Sequence, residues 1–224
     1  MTNWPDLHVE LGLFDDGASV VIGVDEVGRG ALAGPVAVGA VAIDAAVGAA
    51  PAGLDDSKRL SPARRTALVG PITSWCLAAA VGTSSAAEVD ALGITAALGL
   101  AAVRALGELA LDDAGVLLDG NADWLSPALE RAGASPPSFG VHVRVAADRR
   151  CASVAAASVV AKVERDAELV ELARTYGGYG FESNKGYGSA AHVRALRALG
   201  PCDAHRRSWR LPGVDTLFEP AALG

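Results

Sequence analysis

The chain has 224 residues, of which 51% are hydrophobic and 20% are charged, and its formal net charge is -7. This composition excludes a disordered chain, and the length suits one domain with a small appendage. The acidic total argues against a uniformly basic nucleic-acid binder, but the charge is uneven. Residues 1–143 carry 7 Lys and Arg against 17 Asp and Glu, whereas residues 144–224 carry 12 against 9. A local basic face can therefore still bind a polyanion.

The sequence also disfavours a membrane protein and a disulfide-rich protein. No apolar run reaches the length of a membrane span without a charge or a breaker, and no leader is evident, so we expect a cytoplasmic protein without membrane contact. Cys76, Cys151 and Cys202 are far apart and lack a C-x-x-C pair. This spacing predicts buried free thiols, not a disulfide framework or a zinc site.

The hydrophobic pattern predicts strands first and then strands that alternate with helices. Residues 1–18 have a weak pattern and predict a loosely ordered lead-in. The predicted strands cover about 19–25, 34–43, 72–83, 115–118 and 141–145, and the predicted helices about 61–69, a short one after Ser85, 95–111, 153–176 and 190–199. Residues 177–188 are expected to be irregular. This order predicts an α/β protein with a mixed sheet flanked by helices.

Three acids share one context, because Asp25, Asp119 and Asp148 each end a predicted strand or lie just past one. Ligand sites collect at strand ends in α/β sheets, so the three carboxylates converge if their strands are neighbours. Such a cluster suits Mg²⁺ or Mn²⁺, and two such ions can promote phosphodiester hydrolysis. Glu26 joins Asp25 only if the strand ends or twists there, since neighbouring strand residues point to opposite faces. Turn or capping roles remain the alternative for a single strand-end Asp.

Gly28-x-Gly30-x-x-Ala33 formally matches a dinucleotide-binding fingerprint. That fingerprint should open a helix, but here Gly34-Pro35 and an alternating β-branched run follow. The acids directly before the glycines would also repel a pyrophosphate. We therefore disfavour a dinucleotide site.

Seven motifs in order resemble the type 2 ribonucleases H, specifically bacterial ribonuclease HII. The motifs are Asp25-Glu26-x-Gly28-Arg29-Gly30, Asp56-Ser57-Lys58-Arg59-Leu60-Ser61, Leu118-Asp119-Gly120-Asn121, Asp148, Ala156-Ala157-Ser158-Val159-Val160-Ala161-Lys162-Val163-x-Arg165-Asp166, Asn184-Lys185-Gly186-Tyr187-Gly188 and His205-Arg206-Arg207-Ser208. The resemblance implies a ribonuclease H-like fold, with a catalytic domain over 19–188 and a helical C-terminal extension over 189–224 packed on it. It also implies cleavage of RNA in RNA–DNA hybrids and incision 5′ of single ribonucleotides in duplex DNA, leaving 5′-phosphate and 3′-hydroxyl ends.

The resemblance also assigns residues to roles. It makes Asp25, Glu26, Asp119 and Asp148 the metal-binding catalytic acids. It assigns the Gly28-Arg29-Gly30 backbone to the ribose 2′-hydroxyl, which alone separates RNA from DNA at one position. It assigns the ring of Tyr187 to the RNA–DNA junction, although a loop tyrosine that caps the core is the alternative.

Five further residues are candidate phosphate contacts, namely Ser57, Lys58, Ser158, Lys162 and Lys185. A solvated surface lysine or a helix-capping serine is the alternative for each of them. Arg206 and Arg207 suit contact with a nucleic-acid backbone, or equally an anchoring salt bridge. The chain departs from many relatives at Ala155, where they carry serine, and at Ala146-Ala147, where they carry Lys-Gly before the last acid.

These motifs predict a monomeric, Mg²⁺- or Mn²⁺-dependent endonuclease. A nuclease of the same fold with another substrate, such as a junction resolvase, is one alternative. A non-catalytic module that binds hybrids is another, but binding phosphates needs no cluster of four carboxylates.

Overall fold

The computed structural model describes residues 4–111 and 113–214 and has a mixed five-stranded sheet at its centre. The strands are β1 (Val20–Val27), β2 (Val36–Asp44), β3 (Ala78–Ser84), β4 (Ala114–Asp119) and β5 (Val141–Arg144). They are ordered β3-β2-β1-β4-β5 across the sheet. The β1–β2 and β2–β3 pairs are antiparallel, whereas β1–β4 and β4–β5 are parallel. The predicted mixed sheet is confirmed.

Helices flank this sheet. They are α1 (His8–Asp15), α2 (Pro62–Trp75), α3 (Ala86–Leu92), α4 (Ile94–Leu109), α5 (Ser126–Arg131), α6 (Ala152–Thr175), α7 (Phe181–Asn184) and α8 (Ala190–Leu199). Short 3-10 turns cover Ser57–Arg59 and Ala147–Arg149. Within the ranges given above, none of the helices is long and apolar enough to span a membrane.

Helix α6 lies unusually close to β1 and β2 because glycines face it. A methyl group on Gly23 would overlap the backbone of Ser153, and one on Gly39 would overlap the carbonyl of Ala157. Ala155, one of the departures from the family pattern, is fully buried here in an apolar cluster under α2. Its side chain therefore contributes to packing. Helix α4 covers the opposite face of the sheet, so both faces are buried.

The lead-in is more ordered than its weak pattern predicted. Helix α1 forms there, and its Glu10 is fully buried. Glu10 Oε1 accepts hydrogen bonds from the amide of Ser153 at 2.9 Å and from its hydroxyl at 2.8 Å. The loosely ordered lead-in was thus a wrong prediction over residues 8–15, because a distant partner at the start of α6 fixes the helix. Residues 1–3 lie outside the described part.

The predicted boundary between α2 and β3 was wrong. The sequence predicted a helix end near 69 and a strand over 72–83, whereas α2 runs through Pro71 to Trp75 and the strand begins at Ala78. Proline inside a helix costs about 3 kcal/mol. Burial of Leu68 and Ile72, which are four residues apart on one face of α2, offsets this cost. Tertiary packing therefore overrides the local break signal.

The C-terminal segment packs on the rest of the domain through one apolar cluster that contains Leu169 of α6, Phe181 of α7 and Leu196 of α8. Helix α8 matches its predicted range of 190–199. The stretch 177–188 is irregular as predicted except for the single turn α7, which buried Phe181 stabilises. The part of the predicted extension at 215–224 lies outside the described residues.

The cysteines are free, but only one of them is fully buried. Cys151 is buried as predicted, whereas Cys76 and Cys202 are partly exposed. Burial, followed by the charge of Glu10, raises the pKa of the Cys151 thiol to about 12. Cys151 therefore stays a neutral thiol inside the core.

Candidate active site

The sheet register brings the strand-end acids together. Val24 of β1 pairs with Leu118 of β4 in parallel, so the next residues, Asp25 and Asp119, lie side by side at one edge of the sheet. Asp148 lies in the 3-10 turn that follows β5, the parallel neighbour of β4. The predicted convergence follows from three adjacent parallel strands that end at the same edge.

Glu26 joins this edge although β1 continues past it to Val27. The cleft at the strand ends is lined by both Asp25 and Glu26, together with Asp119. Burial, partly offset by the charge of Arg29, raises the pKa of Glu26. The Arg29 guanidinium lies 3.5 Å from Glu26 Oε1. The two neighbouring acids therefore reach one cleft without the strand ending between them.

Asp119 is fixed by the loop that carries Asp148. Its Oδ1 accepts a hydrogen bond of 2.7 Å from the amide of Ala147. Ala146, just before it, adopts a left-handed backbone conformation with φ of 56°. The Ala146-Ala147 departure thus leaves this link intact, because the link uses the backbone and not the side chains.

Asp25 has the chemistry of a cation ligand. It is 2% exposed, and its Oδ2 has no hydrogen-bond partner among the described residues. Burial and then the charge of Asp119 raise its pKa well above the ordinary range, and Lys58 offsets part of this effect. A buried, unpartnered carboxylate oxygen beside other acids is costly unless a cation compensates it. The residues present therefore fit a hard divalent ion.

Over the ranges described, no three acidic, histidine or cysteine side chains lie close enough together to form a complete metal site. Instead, a lysine supplies positive charge to the acids. Lys58 Nζ lies 3.3 Å from Asp148 Oδ2 and 4.0 Å from Asp56 Oδ1. Burial alone would lower the pKa of Lys58, but the charges of Asp25, Asp148 and Asp56 raise it. Lys58 thus lies at the acids, in addition to its predicted role at phosphate.

Asp56 is a site residue that sequence reasoning missed. It is fully buried, caps the turn Ser57–Arg59 by accepting from the amide of Lys58, and accepts from Arg149 Nε at 3.3 Å. It therefore places Lys58 beside the acids. A signal for this role was present in the sequence. Asp56 directly precedes the turn Ser57–Arg59, and aspartate in that position is typical of a capping residue.

The Gly28-Arg29-Gly30 loop forms the wall of the cleft next to the acids. Gly28 has φ of 86°, and a methyl group on it would overlap the guanidinium of Arg165. Both conditions require glycine. Among the described residues, the amides of Arg29 and Gly30 have no acceptor, and both residues are exposed. The loop therefore offers free amide donors to a ligand.

Buried Arg206 holds this loop, and buried Arg165 packs behind Gly28; neither arginine has a carboxylate within salt-bridge distance in the part of the chain described. Arg206 donates to the carbonyls of Gly28 at 2.7 Å and Arg29 at 2.9 Å. Arg165 donates to the carbonyl of Pro35 at 2.8 Å. Neither of the two alternatives for Arg206, a phosphate contact or a salt bridge, describes its contacts with the described residues, because its donors bind backbone carbonyls.

Tyr187 lines the same cleft as the acids and is 38% exposed. Lys162 Nζ lies 5.7 Å and the Arg165 guanidinium carbon 5.5 Å from the centroid of its ring, so cation–π contacts hold the ring. Lys162 also pairs with Asp166 at 2.6 Å. Burial lowers the pKa of Lys162 despite this partner. The ring and one ammonium group thus face the same space.

The three remaining candidates differ in position. Ser57 lines the cleft, and its hydroxyl accepts at 2.7 Å from the hydroxyl of Ser158, which is fully buried on α6 and does not line the cleft. Lys185 does not line the cleft, and its Nζ donates to the carbonyl of Glu182 at 2.7 Å. Its carbonyl accepts from Arg165 at 3.1 Å. A phosphate contact by Lys185 stays a prediction that requires its side chain to turn.

Comparisons with known proteins give the same assignment. The family model for Ribonuclease HII matches residues 22–211. The chain is 46% identical over 193 residues to ribonuclease HII of Streptomyces avermitilis, covering 86% of this chain and 78% of that protein. It is 45% identical over 207 residues to ribonuclease HII of Paracoccus denitrificans, covering 92% of each.

Solved structures agree on the fold. The ribonuclease H2 of Pyrococcus horikoshii superposes with a TM-score of 0.69 at 27% identity, covering 86% of this chain and 95% of that one. Bst-RNase HIII in complex with Mn²⁺ gives a TM-score of 0.61 at 25% identity, covering 82% and 64%. The predicted ribonuclease H-like fold is confirmed by these matches. The chain therefore belongs to the ribonuclease HII family of endonucleases.

Proposed function

We propose that this chain is a divalent-metal-dependent endonuclease that cleaves the RNA strand of RNA–DNA hybrids and incises duplex DNA 5′ of a single ribonucleotide. The products carry 5′-phosphate and 3′-hydroxyl ends. One observation carries the proposal: a single cleft is lined by Asp25, Glu26 and Asp119, by the Gly28-Arg29-Gly30 loop and by Tyr187. The groups suited to phosphodiester cleavage and those suited to recognition of a sugar thus line the same cleft.

The acids supply the chemistry of cleavage. Asp25, Glu26, Asp119 and Asp148 offer the hard oxygen ligands that Mg²⁺ and Mn²⁺ prefer. When bound there, such ions supply Lewis-acid activation of water and stabilisation of the leaving 3′-oxygen. The Mn²⁺ complex of the related Bst-RNase HIII supports this choice. The acids would hold the ions, and no protein nucleophile is needed.

The glycine loop supplies selectivity for RNA. The amides of Arg29 and Gly30 are free donors on an exposed loop next to the acids. A ribose 2′-hydroxyl can accept from such a donor, whereas deoxyribose offers no partner. Because the loop carbonyls are already engaged by Arg206, the loop does not need to reorganise to present its amides.

Tyr187 and the lysines of the cleft position the nucleic-acid strand. An aromatic ring packed on the sugar after the ribonucleotide would be obstructed by a second 2′-hydroxyl, so Tyr187 senses the RNA–DNA junction. Lys58 and Lys162 face the same cleft and contact phosphates, with Ser57 as a further donor. A monomer that acts in the cytoplasm stays a prediction.

The test is incubation with duplex DNA that contains one ribonucleotide, with and without Mg²⁺ or Mn²⁺. We expect metal-dependent incision 5′ of that ribonucleotide and none in the all-DNA duplex. Binding without incision would instead favour a hybrid-binding module. Incision of a branched all-DNA substrate would favour a resolvase.

A further inference from the structure

Two buried histidines connect the C-terminal segment to Tyr187. His192 of α8 and His205 are 0% and 1% exposed. His192 Nδ1 lies 2.8 Å from the carbonyl oxygen of Tyr187, and its Nε2 lies 3.0 Å from His205 Nε2. His205 Nδ1 accepts from the amide of Cys202 at 3.1 Å. The four groups form one continuous chain of hydrogen bonds.

The end groups fix the direction of every bond in this chain. A carbonyl only accepts, so His192 Nδ1 must carry a proton and donate to Tyr187. Neutral His192 then accepts at Nε2, and His205 must donate from its own Nε2. His205 Nδ1 is left as the acceptor for the Cys202 amide. All of these contacts are satisfied when both histidines are neutral, with the proton of His192 on Nδ1 and that of His205 on Nε2.

The environment keeps this proton arrangement constant at neutral pH. Burial and then the nearby His192 lower the pKa of His205 to about 4. Burial also lowers the pKa of His192. Both imidazoles therefore remain neutral while the enzyme works, and the donor toward Tyr187 is always present.

The short segment that contains His205 also holds the Gly28-Arg29-Gly30 loop. Arg206, the residue after His205, binds the carbonyls of Gly28 and Arg29. The carbonyl of Gly186, the residue before Tyr187, accepts from the amide of Leu32 at 2.8 Å. The segment around His205 and Arg206 thus contacts the glycine loop directly and reaches Tyr187 through His192.

We propose that His192 and His205 are positioning residues for substrate choice, which set the place of the Tyr187 ring through its carbonyl and thereby favour single-ribonucleotide junctions over uniform hybrids. This inference rests on the proposed function, in which Tyr187 senses the junction. Neither histidine lines the cleft, so both act through Tyr187 and not on substrate.

Two variants of one residue separate this role from a packing role. In His192→Asn, the side-chain amide nitrogen can replace Nδ1 as donor to Tyr187. In His192→Gln, the amide reaches toward His205 and leaves the Tyr187 carbonyl without this donor. The readout is the ratio of kcat/KM on single-ribonucleotide duplex to kcat/KM on uniform hybrid.

We expect His192→Asn to keep the ratio near the wild-type value, and His192→Gln to lower it about threefold to tenfold, as loss of one positioning hydrogen bond would. Equal ratios in both variants would overturn the inference. Tyr187→Ala is the reference. If it leaves the ratio unchanged, junction sensing itself fails; if it lowers the ratio while His192→Gln does not, only the positioning role fails.

A spectroscopic measurement does not depend on activity. The chain has three tyrosines, so labelling with 3-fluorotyrosine gives few ¹⁹F resonances, and Tyr187→Phe assigns the one of interest. We expect this resonance to shift in His192→Gln and to stay in place in His192→Asn. An unmoved resonance in both would overturn the inference. If His192→Gln does not fold, His205→Asn, which removes the donor to His192, must shift the same resonance.

Discussion

The guanidinium of Arg206 donates to the carbonyl oxygen of Gly28 at 2.7 Å, from a position 178 residues further along the chain. Its other nitrogens engage the carbonyls of Arg29 and Gly34. Arg206 is 0% exposed. A buried, positively charged group thus holds the backbone of the loop assigned to the ribose.

Replacing Arg206 should harm both stability and RNA selectivity. Arg206→Met leaves several buried carbonyls without donors, at about 1–3 kcal/mol each, so we expect the free energy of unfolding to fall by at least about 2 kcal/mol. Arg206→Lys keeps the charge but loses the planar fork, and we expect a smaller loss of stability with weaker discrimination between ribonucleotide and all-DNA duplex.

Arg207→Met is the matched control. Arg207 is half-exposed, and its side chain pairs with exposed Asp203 among the described residues, so its loss should change stability by less than about 0.5 kcal/mol. Urea unfolding and incision assays on the three variants check these expectations. Equal effects at positions 206 and 207 would contradict the role given to Arg206.

Asp119→Asn should abolish cleavage without unfolding the protein. The asparagine oxygen can still accept from the amide of Ala147, so the loop that carries Asp148 stays in place. The lost charge removes one of the proposed metal ligands, and we expect incision to fall more than about 100-fold. Circular dichroism and thermal unfolding confirm the fold. An unfolded variant would point instead to a structural role for Asp119.

Asp25→Asn should stabilise the metal-free protein. Burial raises the pKa of Asp25, so its ionised form is less favourable in the folded chain than in the unfolded chain. Stability is therefore lost as the pH rises from the ordinary carboxyl range through the folded pKa, and the loss persists at pH 7. Removing the charge should raise the free energy of unfolding by about 1 kcal/mol, or Tm by roughly 2–4 °C.

Added Mn²⁺ should reverse the order of stability of the wild type and Asp25→Asn. A cation that binds only the folded wild type stabilises it, whereas Asp25→Asn lacks one of the proposed ligands and should gain less. Thermal unfolding of both proteins in EDTA and in Mn²⁺ tests the pair of expectations. A wild type that is more stable than the variant in EDTA would show that the buried carboxylate is compensated without metal.

The acids and the sheet could be predicted because their signals are local. Asp25 and Asp119 each end an apolar run, and parallel strand ends meet at one edge. Their convergence required the strands to be neighbours, which the sequence left as a condition and the order of the sheet provides.

The supporting residues could not be predicted from pattern alone. Arg165 and Arg206 hold backbone carbonyls 130 and 178 residues away, and a carbonyl leaves no trace in side-chain spacing. Helix α1 was missed for a similar reason, since Glu10 binds Ser153 from 143 residues away. Such long-range polar contacts depend on the completed fold.

The depressed pKa of His205 predicts acid sensitivity of the fold. Its value is about 4 in the folded protein against an ordinary 6.5, so the unfolded chain binds the proton more readily between these values. Stability should therefore be complete above pH 6.5 and decline as the pH falls toward 4, by up to about 3 kcal/mol from this residue. His205 faces His192, Cys202 and the ring of Tyr179, and none of these carries a compensating negative charge at that pH.

Urea unfolding at pH 7, 5.5 and 4.5 measures this contribution as the difference between wild type and His205→Gln. The variant cannot take up the proton, so its loss of stability on acidification should be smaller. His8→Gln is the control, because His8 is exposed on α1 and should leave the wild-type slope unchanged. Parallel slopes for wild type and His205→Gln would mean that His205 titrates normally in the folded state, and the neutral hydrogen-bond chain to Tyr187 would then break within the mildly acidic range.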